Sequence, residues 1–417
     1  MSVDFRTRWD GDVTPLDSIA FFDSRLPQLL EERAPLLASA SHLDLRPMTV
    51  EVDGRCWVLS RDDTGRIAIT GDTAGDATQA PVHLRLTTQQ VSDLVNDQIT
   101  PVGMMTGGAL DLVRGRIGRV LDWWLVLRCA LDGIAIYQAG DISLPDDLAR
   151  RFTLDDDPDD MREFLESAGF LHLRGVFSEQ EMGRISDEMD AAAPEYEPGD
   201  GNSWWATVAG GDQRIVRMQR FDERSTGAAE LLTDPRFTAL GGLLGDDHDV
   251  DWSNGNRIEA LYKPIDVVEG ISDVPWHKDC SLGRHSYECC MLTVGISVTG
   301  ADATSGQLRV IAGSHRALVW PSLLDTAPLD LPDVPLATGT GDVTIHLSCT
   351  LHMAQPPVDR ERRVLYTGFR LPPRDPAATD EAQRRLARSA RETAPLNTSQ
   401  SAAAAGQAAS QLGRSLN

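Results

Sequence analysis

Lysine is almost missing from this sequence. Of 39 basic residues only two are lysines, Lys263 and Lys278, and both stand in one stretch of the chain. Such an arginine bias is the mark of a GC-rich genome, and neutral codon usage is the favoured explanation; the alternative is a local need for the two ammonium groups. Positive charge is scarce altogether, since 63 acidic residues leave a formal net charge of -24 and a pI near 4.7. Such a field repels phosphate backbones and anionic headgroups, so nucleic acid is not an expected partner. The six cysteines (Cys56, Cys129, Cys280, Cys289, Cys290 and Cys349) show no paired zinc spacing. Long apolar runs are absent too. The longest, WWLVL at 123–127, is far short of the roughly 20 residues of a membrane span. The opening MSVDFRTRWDGD carries no apolar secretion core. These absences predict a reduced, cytoplasmic protein without a membrane span.

What is present suits a globular chain. Apolar residues make up 41% and charged residues 24% of 417, enough for two cores and a tail. The runs CWVLSRD, RIAITGD and APVHLRLT predict a small antiparallel meander. TTQQVSDLVNDQ then reads as a Thr-capped helix, GALDLVRGR as a strand, and IGRVLDWWLVLRCALDG as a helix ending at a glycine. The order of these elements, over about residues 50–135, resembles the sterol-carrier-protein-2 fold. That resemblance implies an apolar tunnel for lipids or acyl thioesters. In the plainer alternative Trp123, Trp124 and Leu125 are core. The expected organisation is an α+β domain over 1–140, an acidic Asp/Pro-rich linker over 141–160, a β-rich domain over 161–374 and an Ala/Arg/Gln-rich tail over 375–417.

The second domain opens with a helix, a strand and a further helix whose Ser178 and Glu181 form a capping box. From 256 to 371 the apolar runs are short and turn-punctuated (RIEALYKP, CCMLTVGISVTG, GQLRVIAG, GDVTIHLSC, RRVLYTGFRL), which predicts an antiparallel sandwich or jelly roll. Within it lies VPWHKDC at 274–280. On a strand, positions i and i+2 share a face, so His277 and Asp279 can address one metal ion.

By itself H-x-D is a weak signal. Downstream, however, stand GQLRVIAGSH, GDVTIHLSCTLHMAQPP and RERRVLYTGF, in that order. The set, with the entry phrase FLESAGFLHLRGVFSEQEM, resembles the phytanoyl-CoA dioxygenase family of non-haem iron, 2-oxoglutarate-dependent oxygenases over about residues 160–372. The resemblance implies a double-stranded β-helix, Fe(II), 2-oxoglutarate and dioxygen. It puts the metal triad on His277, Asp279 and His352, with His346 as rival to His352. It puts the arginine for the distal carboxylate of 2-oxoglutarate on Arg362 or Arg363, with Arg362 favoured. A guanidinium fork matches a buried carboxylate, and two imidazoles with one carboxylate suit Fe(II) and leave open positions. Lys263 is a further candidate for cofactor contact. Gln307 departs from the family pattern, His315 is expected to order a loop, His285 to contact substrate or lie at the surface, and Trp276, Trp204 and Trp205 to line substrate or core.

The implied reaction is hydroxylation of an unactivated C–H bond; halogenases of this type lack the carboxylate that Asp279 provides. Desaturation, epoxidation and cyclisation use the same cofactors. The carrier-like domain favours a hydrophobic or amphipathic small molecule, such as a terpenoid or acyl intermediate. The contrasting reading is a non-catalytic lipid-binding protein, which a complete triad and arginine oppose. Oligomeric state has no signature in the sequence.

Overall fold

The computed structural model describes residues 16–71, 79–106, 108–244, 248–250, 256–270, 276–282, 291–323 and 329–370. The tail expected after 374, and His285, Cys289 and Cys290, lie outside them.

The N-terminal sheet holds β1 (Met48–Val52), β2 (Arg55–Arg61), β3 (Ile67–Gly71), β4 (Val82–Leu86) and β5 (Asp111–Arg114), in the order β3-β2-β1-β4-β5. The β2–β3 hairpin follows the predicted runs. The third run does not continue the meander: β4 crosses the sheet and pairs in parallel with β1. The sequence reading passed over β1 because Met48, Thr49, Val50 and Val52 are all buried, which removes the polar alternation that marks a half-exposed strand. Helix Thr88–Val95 starts at a Thr87–Gln90 capping box. Helix Ile117–Asp132 ends at Gly133 with φ 69°, the left-handed conformation glycine adopts without strain.

The apolar run of that long helix forms core. Trp123, Trp124 and Leu125 are buried within the N-terminal cluster, and the Trp123 indole donates to the Arg46 carbonyl at 2.8 Å. Arg128 is fully buried beneath them, ion-paired to Asp97 and Asp132 at 3.2 Å each and lying over the Trp124 ring.

The remaining strands build two antiparallel sheets that face each other as a jelly roll. They are β6 (Phe170–Leu173), β7 (Ser203–Val208), β8 (Gln213–Met218), β9 (Glu259–Lys263), β10 (Val267–Glu269), β11 (Trp276–His277), β12 (Leu292–Ser297), β13 (Leu308–Ile311), β14 (Ser322–Leu323), β15 (Asp333–Leu336), β16 (Val343–Leu347), β17 (His352–Ala354) and β18 (Arg362–Phe369). The larger sheet runs β10-β7-β8-β9-β18-β12-β16-β6 and the smaller β14-β11-β17-β13-β15. Helices Pro158–Ala168 and Glu179–Ala192 contribute buried side chains to the same core, and Ser178 and Glu181 make the expected capping box.

The two halves are in direct contact. Ile136 pairs with Leu318, Leu318 is buried in the N-terminal core, and the Trp320 indole donates to Asp122 Oδ1 at 3.1 Å. The short helix Pro101–Thr106 packs against the turn Asp279–Leu282. Within the acidic segment, Phe152 is fully buried and bridges to Leu173 on β6.

Candidate metal centre

His277 closes β11 and lies directly across the ladder from His352, the first residue of β17. Asp279 does not share their strand. The strand stops at His277, and Asp279 opens a 3-10 turn, Asp279–Leu282. The intervening Lys278 explains the break, since its fully buried ammonium donates to the carbonyls of Ser314 at 2.9 Å and Ala317 at 3.2 Å. The carboxylate still reaches the imidazoles. Asp279 Oδ1 is 3.3 Å from His277 Nε2 and 3.4 Å from His352 Nε2, and one ligand atom from each of the three residues lies within 4.8 Å of the others.

Neighbouring groups fix how these atoms point. His352 Nδ1 donates to the Thr350 carbonyl at 2.9 Å, which leaves the Nε2 lone pair for a metal. Thr293 Oγ1 donates to Asp279 Oδ2 at 2.9 Å and is 2.9 Å from Ser348 Oγ, so one carboxylate oxygen is held back while the other faces the imidazoles. Burial alone would raise the Asp279 pKa, but the charge of His352 and contacts with all three imidazoles hold it well below the usual carboxylate range. The sequence reading missed Thr293. Its signal was a run of small or polar residues, Thr293, Gly295 and Ser297, at alternate positions of an otherwise apolar strand. Thr293→Val should weaken anaerobic Fe(II) binding about tenfold, read by titration; unchanged affinity would remove Thr293 from this role.

His346 also lies here. Its Nε2 is 3.5 Å from Asp279 Oδ2 and its ring centroid 4.1 Å from that of His352. Burial, with the His352 charge, pushes its pKa down to about 4, so it is neutral and sits on the Oδ2 side.

The two candidate arginines diverge because they are successive residues of one strand. Arg362 is buried and donates through Nη1 to the Gly306 carbonyl at 2.8 Å. Its Nε is buried with no hydrogen-bond partner. Arg363 turns to the helical layer, donating to Asp190 Oδ2 at 2.8 Å and to the Ser186 carbonyl at 3.0 Å. Lys263, buried on β9, is the register partner of Arg362. It lines, with His277, Asp279 and His352, a cavity of about 390 Å³. Polar Arg217, Asn256 and Glu259 line this cavity too, beside apolar Leu261, Met291 and Leu308; Glu259 is ion-paired to Arg217 and accepts from Asn256. Gln307 donates to Gln355 Oε1 at 2.9 Å. Trp276 is core, and Trp204 lies under the Arg217 guanidinium.

His315 stands outside the metal group. Its Nε2 donates to the Glu166 carbonyl at 2.9 Å, tying its loop to helix Pro158–Ala168. Gly169, at φ 84°, makes room: a Cβ there would lie 2.4 Å from His315 Nδ1. Burial pushes the His315 pKa from 6.5 down to about 3. The unfolded chain therefore takes up this proton more readily, so the contribution to stability is intact above about pH 6.5 and is lost as pH falls toward 3. The acid limb of a urea-melt series should steepen by up to about 1.4 kcal/mol per pH unit, and His315→Gln should flatten it. An unchanged limb in that variant would exclude His315 as its source.

Taken together, a jelly roll with a two-histidine, one-carboxylate cluster and a nearby strand carrying a buried arginine has the donor set that suits a mononuclear non-haem iron centre. Residues 165–364 match the family model described as phytanoyl-CoA dioxygenase (PhyH). Its members use Fe(II) and 2-oxoglutarate. The residues fit both groups: two imidazole nitrogens and a carboxylate oxygen suit Fe(II), and the unpartnered Arg362 Nε is a buried donor suited to a carboxylate. No curated protein matches the chain. Among solved structures it is similar to AviO1 from Streptomyces viridochromogenes Tue57 (19% identity, 52% of this chain and 96% of that one, TM-score 0.40). EctD from S. alaskensis in its apo form gives 17% identity, 56% and 83% coverage and a TM-score of 0.42. The epimerase SnoN, in complex with Fe3+, alpha ketoglutarate and nogalamycin RO, gives 19%, 51% and 82%, and 0.40.

Proposed function

We propose that this chain is an Fe(II)- and 2-oxoglutarate-dependent hydroxylase of an amphipathic small molecule, with His277, Asp279 and His352 as the metal ligands. When bound, iron, 2-oxoglutarate and dioxygen supply oxidation of an unactivated C–H bond, coupled to decarboxylation of the oxo acid to succinate. The chain's residues do the rest. The Thr350 carbonyl and Thr293 hydroxyl aim His352 Nε2 and Asp279 Oδ1 at one point. Arg362, with Lys263 opposite it on β9, grips the distal carboxylate of the oxo acid. Leu261, Met291 and Leu308 exclude water from part of the cavity, while Arg217, Asn256 and Glu259 hold a polar part of the substrate. The observation that carries this reading is the convergence of the three ligand atoms. Purified protein should bind Fe(II) anaerobically and show a weak visible charge-transfer band on adding 2-oxoglutarate; folded, iron-loaded protein without the band would overturn it.

The N-terminal unit supports a bracing role. Its strand and helix order favours the sterol-carrier-like reading, yet the tryptophans that suggested a tunnel fill its own core. Among the described residues, a cleft of this unit lined by residues within 27–41 and 61–69 shares no lining residue with the catalytic cavity. Its helix Pro101–Thr106 instead backs the turn that carries Asp279. A cytoplasmic location fits the thiol content. Among the described residues no helix is long and apolar enough to cross a membrane.

A further inference from the structure

Asp279 opens a 3-10 turn and His352 opens β17, and beside them two thiols meet. Cys280 directly follows Asp279, and Cys349 lies in the turn between β16 and β17, three residues before His352. Their Sγ atoms are 3.0 Å apart, and both residues are buried. The Cys280 thiol also donates to the Ser348 carbonyl at 3.3 Å. About 1 Å of approach separates the sulfurs from a bond of about 2.05 Å. Met291, which lines the catalytic cavity, packs against the pair, so a small oxidant inside the cavity is one side chain away. Cys129, by contrast, lies in the N-terminal core and does not line the cavity.

We propose that Cys280 and Cys349 form a modification site: a hydroperoxide converts the pair to a disulfide that reversibly weakens Fe(II) binding. One thiol attacks the peroxide O–O bond, giving a sulfenic acid and releasing the alcohol, or water from hydrogen peroxide. The second thiol then displaces the sulfenic oxygen as water, forming the S–S bond. Two thiols are oxidised by two electrons and one peroxide is reduced. The new bond draws the Asp279 turn toward the Ser348–Thr350 loop. That loop supplies the Thr350 carbonyl that orients His352 and the Ser348 hydroxyl beside Thr293, so metal geometry changes with it. The effect on iron rests on the ligand assignment proposed above.

The test uses full-length, iron-free protein treated with hydrogen peroxide, then freed of it. Peptide mapping should find Cys280 linked to Cys349 with loss of two hydrogen atoms. Anaerobic Fe(II) affinity should fall at least about tenfold and return with dithiothreitol. Cys349→Ser should bind Fe(II) like the reduced parent both before and after peroxide. Absence of that linked peptide, linkage to Cys289 or Cys290 instead, or a link that leaves Fe(II) affinity unchanged overturns the proposal. Reduced parent protein that takes up no Fe(II) would instead sink the ligand assignment, while the peptide map reads the thiol pair independently.

Discussion

Arg362→Ala should raise the Kd for 2-oxoglutarate about 100-fold or more, with Arg363→Ala staying within about threefold. Leaving a buried charge without its partner costs about 3–5 kcal/mol, and each 1.4 kcal/mol is about tenfold in affinity. Lys263 remains as register partner on β9, which puts the expectation toward the lower end of that range. Arg363 serves Asp190 and Ser186 on the helical layer, where a partly exposed ion pair contributes about 1 kcal/mol or less. The comparison needs no substrate, because the charge-transfer band can be titrated with 2-oxoglutarate for each variant. The opposite ranking would move the carboxylate contact to Arg363 and leave the fold untouched.

Lys278→Ala should cost about 2–5 kcal/mol of folding stability. The fully buried ammonium donates to the carbonyls of Ser314 and Ala317, and each acceptor left unsatisfied in the interior costs about 1–3 kcal/mol. Lys278→Met, which keeps most of the side-chain volume, should recover only the packing part of that loss. Urea melts of the iron-free protein give both numbers without metal binding. A loss under about 1 kcal/mol would mean that water reaches those carbonyls and that the ammonium is dispensable.

Codon bias is the favoured explanation of the scarce lysines, yet Lys278 anchors the backbone between two metal-ligand candidates. The order of motifs in the second half was legible because each apolar run there is one short strand bounded by turn residues, as β9, β12, β16 and β18 show. Strands β11, β14 and β17 are two or three residues long, too short to carry any periodicity, yet they bring His277 and His352 together. In the first half, alternation located β2 and β3 but could not say that β4 would lie beside β1, because a parallel crossover leaves no turn signature. That Arg362 and Arg363 face opposite ways follows from their being neighbours on one strand, but which of them turns toward the helical layer is fixed only by the folded sheet.

Leu318 and Trp320 belong by chain position to the jelly roll, yet Leu318 is buried in the N-terminal core, and the Trp320 indole is satisfied by Asp122 of the long N-terminal helix. Cutting the first unit away would therefore uncover Leu318 and leave the Trp320 indole without Asp122, so the jelly roll alone is expected to be less stable than the whole chain.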